Sequence, residues 1–112
     1  MKESIKVLEE AKQLQIKKAN DYQNSNSSIV QADYYPNGCG TILDVMNTKL
    51  LRMRSVIEAM QHDPEYKPNF ESLEDSAVDL INYASFFVEY SRGKMQGQDK
   101  NRDFLNRKCR NK

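Results

Sequence analysis

Between residues 42 and 60 the large apolar side chains recur at helical intervals. Ile42, Met46, Leu50, Met53, Ile57 and Met60 step by four, four, three, four and three. That spacing gathers all six on one side of an α-helix and would scatter them over both faces of a strand. A helix is therefore expected from about Thr41 to Gln61. Thr41 is its expected N-cap, with Asp44 as acidic partner three residues on. Pro64 and Pro68 mark the connection that follows. A stripe of this length has to be covered, and the chain offers two more helical segments to cover it.

The first segment should run from about Glu3 to Asn20, rich in good helix formers. Val7, Ala11 and Leu14 share a face, and Lys18 is the next member of that series. A lysine there either lays its stem along the core and reaches water, or aims its ammonium into a polar cavity. The last segment should run from about Phe70 to Ser91. Phe70, Leu73, Ala77, Leu80, Ala84 and Phe87 form its core stripe, widened by Ile81 and Val88. Opposite lie Glu71, Asp75 and Asp79 at intervals of four, with Asn82 among them on the helical wheel. Like charges four apart cost a helix roughly 0.2–0.5 kcal/mol per pair. Val78 borders these acids and Phe86 falls within them by angle, so a partner subunit, a helix or the loop is expected to cover this side too. Carboxylates so placed pair with lysine or arginine, or hold a hard cation such as Mg²⁺. Lys18, Lys49 and Arg52 are the available cations, and Asn47 and Arg54 extend the polar side of the second helix.

Residues 23–40 have no helical period, and Pro36-Asn37-Gly38 is a strong turn signal. Loops this long are usually functional or disordered. Tyr22, Tyr34 and Tyr35 lie in or beside it, where they either meet a base or phosphate or anchor the loop to the core. Gly38 and Gly40 should leave backbone N–H groups accessible to an anion, though no Walker-type lysine follows.

The fold class implied is all-α: a bundle of three main helices in 112 residues, with a long loop between the first two. Residues 1–91 form the expected domain and residues 92–112 a basic tail. That tail carries eight Lys and Arg against two acids, net +6, on a body of net −5. Met95, Phe104 and Leu105 are its larger apolar residues, a short helix near 102–109 is possible, and none of it is expected in the core. No apolar run approaches a membrane span. The charged first ten residues argue against a signal peptide. Cys39 and Cys109 read as reduced thiols, and a single histidine, His62, argues against a zinc site or a serine–histidine triad. A cytoplasmic protein is expected, with no membrane or nucleic-acid partner.

Three stretches taken together resemble a known family: residues 17–22 (KKANDY), 47–54 (NTKLLRMR) and 74–84 (EDSAVDLINYA). Their order and spacing, over roughly residues 5–90, are similar to the nucleotide modification associated domain family of phages and bacteria. Its pattern is a lysine, Asp-Tyr-Gly, a helix bearing lysine and arginine, and an acidic helix ending near Leu-Ile-Asn-Tyr. Gln23 stands where the family has glycine. That family is in turn similar to the all-α nucleoside triphosphate pyrophosphatases, the MazG and dimeric dUTPase group. Those proteins are dimers that hold Mg²⁺ on two acidic helices. Here Glu71 and Glu74 have E-x-x-E spacing, Asp75 and Asp79 lie four apart, and the second helix carries Asn47, Lys49, Arg52 and Arg54 in place of acids.

The resemblance implies a phosphorylated nucleotide as ligand and a homodimer or higher homo-oligomer. In a binding protein, Lys18, Lys49 and Arg52 would neutralise phosphates. Asp21 and Asn82 would orient sugar or base groups, Tyr22 would stack or donate its hydroxyl, and Asp79 would belong to the same ligand-binding set. In a phage setting, acting in the host cytoplasm, such a protein would sequester a nucleotide, for instance a host immune signal. In a hydrolase, Asp75 and Asp79, with Glu71 or Glu74, would hold Mg²⁺ to bridge phosphates and help activate water. A third reading is an interaction module whose charges are an internal network.

Overall fold

The structure, a computed structural model, describes residues 2–99 and 101. Cys109 and the expected short helix near 102–109, with Phe104 and Leu105, lie outside the described residues. The fold is an all-α bundle of three helices, with no strand among the described residues. Helix α1 spans Glu3–Tyr22, α2 spans Cys39–His62 and α3 spans Leu73–Ser91, with a single 3₁₀ turn at Gln31–Tyr34 between the first two. None of these helices is long and apolar enough to cross a membrane.

Helix α3 is the hub. It packs most extensively on α2 and less extensively on α1. Cross-links fix the directions. Cys39 at the start of α2 donates its thiol to the Phe87 carbonyl near the end of α3, while Lys49 meets Asp79 further back, so the two helices are antiparallel. Asn82 in α3 donates to the Ala11 carbonyl of α1 and accepts from Gln15, which also donates to Ser85. Asn82 is 7% exposed. It is a clamp whose amide satisfies a buried junction between helices.

The densest packing lies at one end of the bundle. Ala32, Tyr35, Cys39, Ile42, Tyr90 and Met95 are buried together, with Met46, Tyr83, Phe86 and Phe87 against them. Met95 corrects the expectation that the segment after residue 91 stays out of the core: it is 3% exposed. Residues 92–98 turn back over the end of α3. Ala32 N–H donates to the Gln96 carbonyl, and Gln98 donates to that of Tyr90. Gly97 lies under Val30 with φ +85°, where a side chain would strike the Val30 methyl group.

Three boundaries differ from expectation, each for a local reason. Helix α2 begins at Cys39, with Gly38 as N-cap, and the Thr41 hydroxyl instead accepts from Asn37 N–H. Helix α3 begins at Leu73 because Ser72 caps it: Asp75 N–H donates to the Ser72 hydroxyl, and Ser72 N–H donates to the Asp75 carboxylate. Phe70 is consequently outside the helix and 90% exposed rather than in the core. Helix α1 runs two residues further than expected, to Tyr22.

The apolar stripe of α2 is only partly used. Ile42 is buried and Met46 and Met53 are half-buried, but Leu50, Ile57 and Met60 are exposed. The side facing α3 in its second half carries Lys49, Arg52, Val56 and Ala59 instead. At about 100° per residue, that inward side is turned roughly 90° from the sequence stripe. Polar groups are therefore drawn inward beside α3.

Candidate functional site

The inward face of α2 and the acids of α3 meet in one network. Lys49 donates to both carboxylate oxygens of Glu71, at 2.9 and 3.0 Å, and to Asp79 Oδ2 at 3.0 Å. The fully buried Ser76 hydroxyl donates to Glu71 Oε1 at 2.8 Å and accepts from Arg52 at 3.3 Å. Burial works against the charge on Lys49, yet its hydrogen bonds to Glu71 and Asp79 hold its pKa above the ordinary 10.5. The Lys49 hydrogen bond in turn holds Glu71 below the usual glutamate value. Lys18 approaches Asp79 from α1, its Nζ 3.5 Å from Oδ1 and its side chain 48% exposed. That position combines both sequence readings, since the ammonium is wet and also directed at an inward acid.

The partners expected from sequence thus converge in part. Lys18, Lys49, Arg52, Glu71 and Asp79 come together: the two lysines pair with the carboxylates, and Arg52 reaches Glu71 through Ser76. Asp75 does not join them; its carboxylate is engaged in the cap of α3. Mg²⁺ needs oxygen ligands free to turn toward it. Glu71 and Asp79 already hold Lys49, and no group of three or more His, Cys, Asp or Glu is arranged to hold a metal ion among the described residues. Asp21, Asn47 and Arg54 are exposed and stand apart from the network. The expected anion site at the loop glycines is not formed. Gly38 N–H donates to the Tyr35 carbonyl and Gly40 N–H to that of Asn37, so both donors are used within the turn.

On the other side of Asp79 opens a cavity of about 460 Å³, between α1, α3 and the 3₁₀ turn. Tyr22, Tyr34, Tyr35, Tyr83 and Phe86 supply its aromatic surface. Tyr22 and Tyr34 meet edge to face at 5.0 Å, as do Tyr83 and Phe86 at 5.7 Å. Lys18, Asp79 and Asn82 lie toward one end along α3, and Glu89 toward the other. Burial, and then the neighbouring Tyr22, raises the pKa of Tyr83. Burial, and then Tyr83, raises that of Tyr35 far more. Both phenols are therefore neutral donors. Burial also pushes the Glu89 carboxyl up. A second, more open groove of about 600 Å³ lies between Val7, Leu14, Phe70 and Val78, with Lys18 and Asp79 on the ridge between the two hollows.

Helix α1 and the loop are what cover the second side of α3, as the placement of Phe86 required. Tyr83, Phe86 and Glu89 were not named as site residues from sequence. Their signal was present: they continue the line of Asp79 and Asn82 at helical spacing, and Phe86 falls among the acids by angle. Of the three tyrosines in or beside the loop, Tyr35 anchors the core and also lines the cavity, which Tyr22 and Tyr34 line with it. Comparison with family models, curated proteins and solved structures gives no match for this chain.

Proposed function

We propose that this chain binds a nucleotide in the tyrosine-lined cavity and retains it rather than turning it over. The observation that carries this reading is the cavity itself. It is about 460 Å³, within the usual size of small-molecule sites, and five aromatic side chains line it together with eight polar or charged ones. A base would lie among Tyr22, Tyr34, Tyr83 and Phe86, because every base presents a π-face to an aromatic ring. Its phosphate would meet Lys18, the most exposed cation of the network. Lys49 and Arg52 support this from behind by fixing Asp79, Glu71 and Ser76. One accessible lysine suits a ligand with a single phosphate better than a triphosphate. Retention is favoured because the candidate metal ligands are engaged by Lys49 and by the cap of α3. The resemblance of residues 17–22, 47–54 and 74–84 to a nucleotide-associated family agrees with this reading, and sequestration of a nucleotide signal follows from it.

The proposal includes a homodimer. Leu43, Leu50, Leu51, Ile57 and Met60 are all exposed on one helix. An apolar face of that length on a surface helix marks an interaction site, and a second copy of α2 is a self-complementary cover.

Thermal shift with a panel of nucleoside monophosphates tests the binding reading, because a ligand of the folded state raises the melting temperature by mass action. At least one should raise it in the wild type and fail to do so in Tyr83→Ala. The bound nucleotide should be recovered unchanged after heat denaturation. A panel without effect at millimolar concentration refutes the reading.

A further inference from the structure

Glu89 is the part of the cavity wall that packing does not explain. It is partly buried beside Tyr35, and its carboxylate has no hydrogen bond or ion pair among the described residues. Asp79, the other acid of the wall, has Lys49 and Lys18. A carboxylate that has lost part of its water and gained no donor is left partly uncompensated, so a partner brought from outside would be favoured there.

We propose that Glu89 is the specificity residue of this cavity, its two oxygens accepting from a ring edge with two adjacent donors, as guanine presents through its ring N–H and amino group. This rests on the nucleotide reading above and names the base. An ionised carboxylate only accepts hydrogen bonds, and its paired oxygens match paired donors. Adenine and cytosine set a ring acceptor beside their amino group, which faces a carboxylate oxygen unfavourably. Uracil sets its N–H between two carbonyls. Guanine alone of the common bases offers two neighbouring donors. The layout agrees: Asp79 and Glu89 are ten residues apart on α3, about 15 Å along its axis. Lys18 at the first end and Glu89 at the second leave the aromatic side chains between them for the ring.

Calorimetric titration with guanosine, inosine, adenosine and uridine 5′-monophosphates tests it. Inosine monophosphate lacks only the amino group. The wild type should bind the guanosine nucleotide roughly tenfold or more tightly than the inosine one, the scale of one hydrogen bond to a charged group. Glu89→Gln, which exchanges an acceptor for a donor, should bring the two within about threefold, and Glu89→Met should do the same. Both variants should melt at or above the wild-type temperature, since each removes an unpaired charge. Equal binding of the guanosine and inosine nucleotides by the wild type overturns the assignment, as does a preference that survives both substitutions. If nucleotides still bind in either case and Tyr83→Ala abolishes that binding, the cavity reading stands without Glu89. Failure of the wild type to bind any of the four retires both.

Discussion

Lys49 is the residue on which the polar half of the bundle turns. It pairs with two carboxylates, Glu71 just before α3 and Asp79 within it, that would otherwise share one partly buried place without a bridging cation. Lys49→Met keeps most of the stem volume and removes the charge. It should lower stability by about 2 kcal/mol, the scale of lost hydrogen bonds between charged groups, as measured by urea unfolding at pH 7. The pH dependence follows from the same contacts. The folded-state pKa of Glu71 is depressed, so its stabilisation is complete above its unfolded value near 4.5 and is lost as pH falls through the lower folded value. The folded-state pKa of Lys49 is raised, so its stabilisation is complete below 10.5 and is lost as pH rises through the higher folded value. Glu89 has the opposite sense to Glu71: its raised pKa makes it destabilising at neutral pH. The wild type should therefore lose stability in acid below about pH 4.5, and Lys49→Met should show a much weaker loss. An acid limb of unchanged steepness in that variant would show that Lys49 is not what holds Glu71 ionised.

At the scale of elements, α2 explains both what was legible in the sequence and what was not. Its existence and length followed from the period of Ile42 to Met60. Its rotation did not, because a stripe of isoleucine, leucine and methionine says that a face is apolar without saying which neighbour takes it. The inward turn of Lys49 and Arg52 was decided by the acids of α3, an interaction between segments that no local pattern contains. The meeting of Lys49 with Asp79 was anticipated from complementary charge, whereas Glu89 lacked any charge partner to draw attention to it. Element ends were set by single residues. Gly38 has φ +59° and ψ −129°, and a Cβ there would lie 2.7 Å from the Tyr90 ring. Gly38→Ala should thus cost about 3 kcal/mol through backbone strain and forced displacement of Tyr90, read as a fall in unfolding free energy. Ser72→Ala should cost about 1 kcal/mol by removing the hydroxyl that caps α3. A Gly38→Ala protein as stable as the wild type would mean the turn before α2 relaxes freely.

For the molecule as a whole, the unsolved surface is the outer side of α2. Leu43, Leu50, Leu51 and Ile57 exposed together are more than scattered surface leucines. Sedimentation equilibrium should find a dimer, and Leu50→Glu should weaken it by roughly a factor of ten or more, one misplaced charge in an apolar seam. A wild-type monomer at high micromolar concentration would remove the second copy from the proposal. The turn at residues 92–98 bears on how the chain tolerates alteration. Met95 plugs the dense end of the bundle, and Gln96 holds the 3₁₀ turn that forms one wall of the tyrosine cavity. A protease nick just after Ser91 would unseat that wall even though all three helices survived. Such a clipped protein would keep its circular dichroism while losing the proposed nucleotide binding, so the latch and the helices can be separated by an enzyme in a test tube.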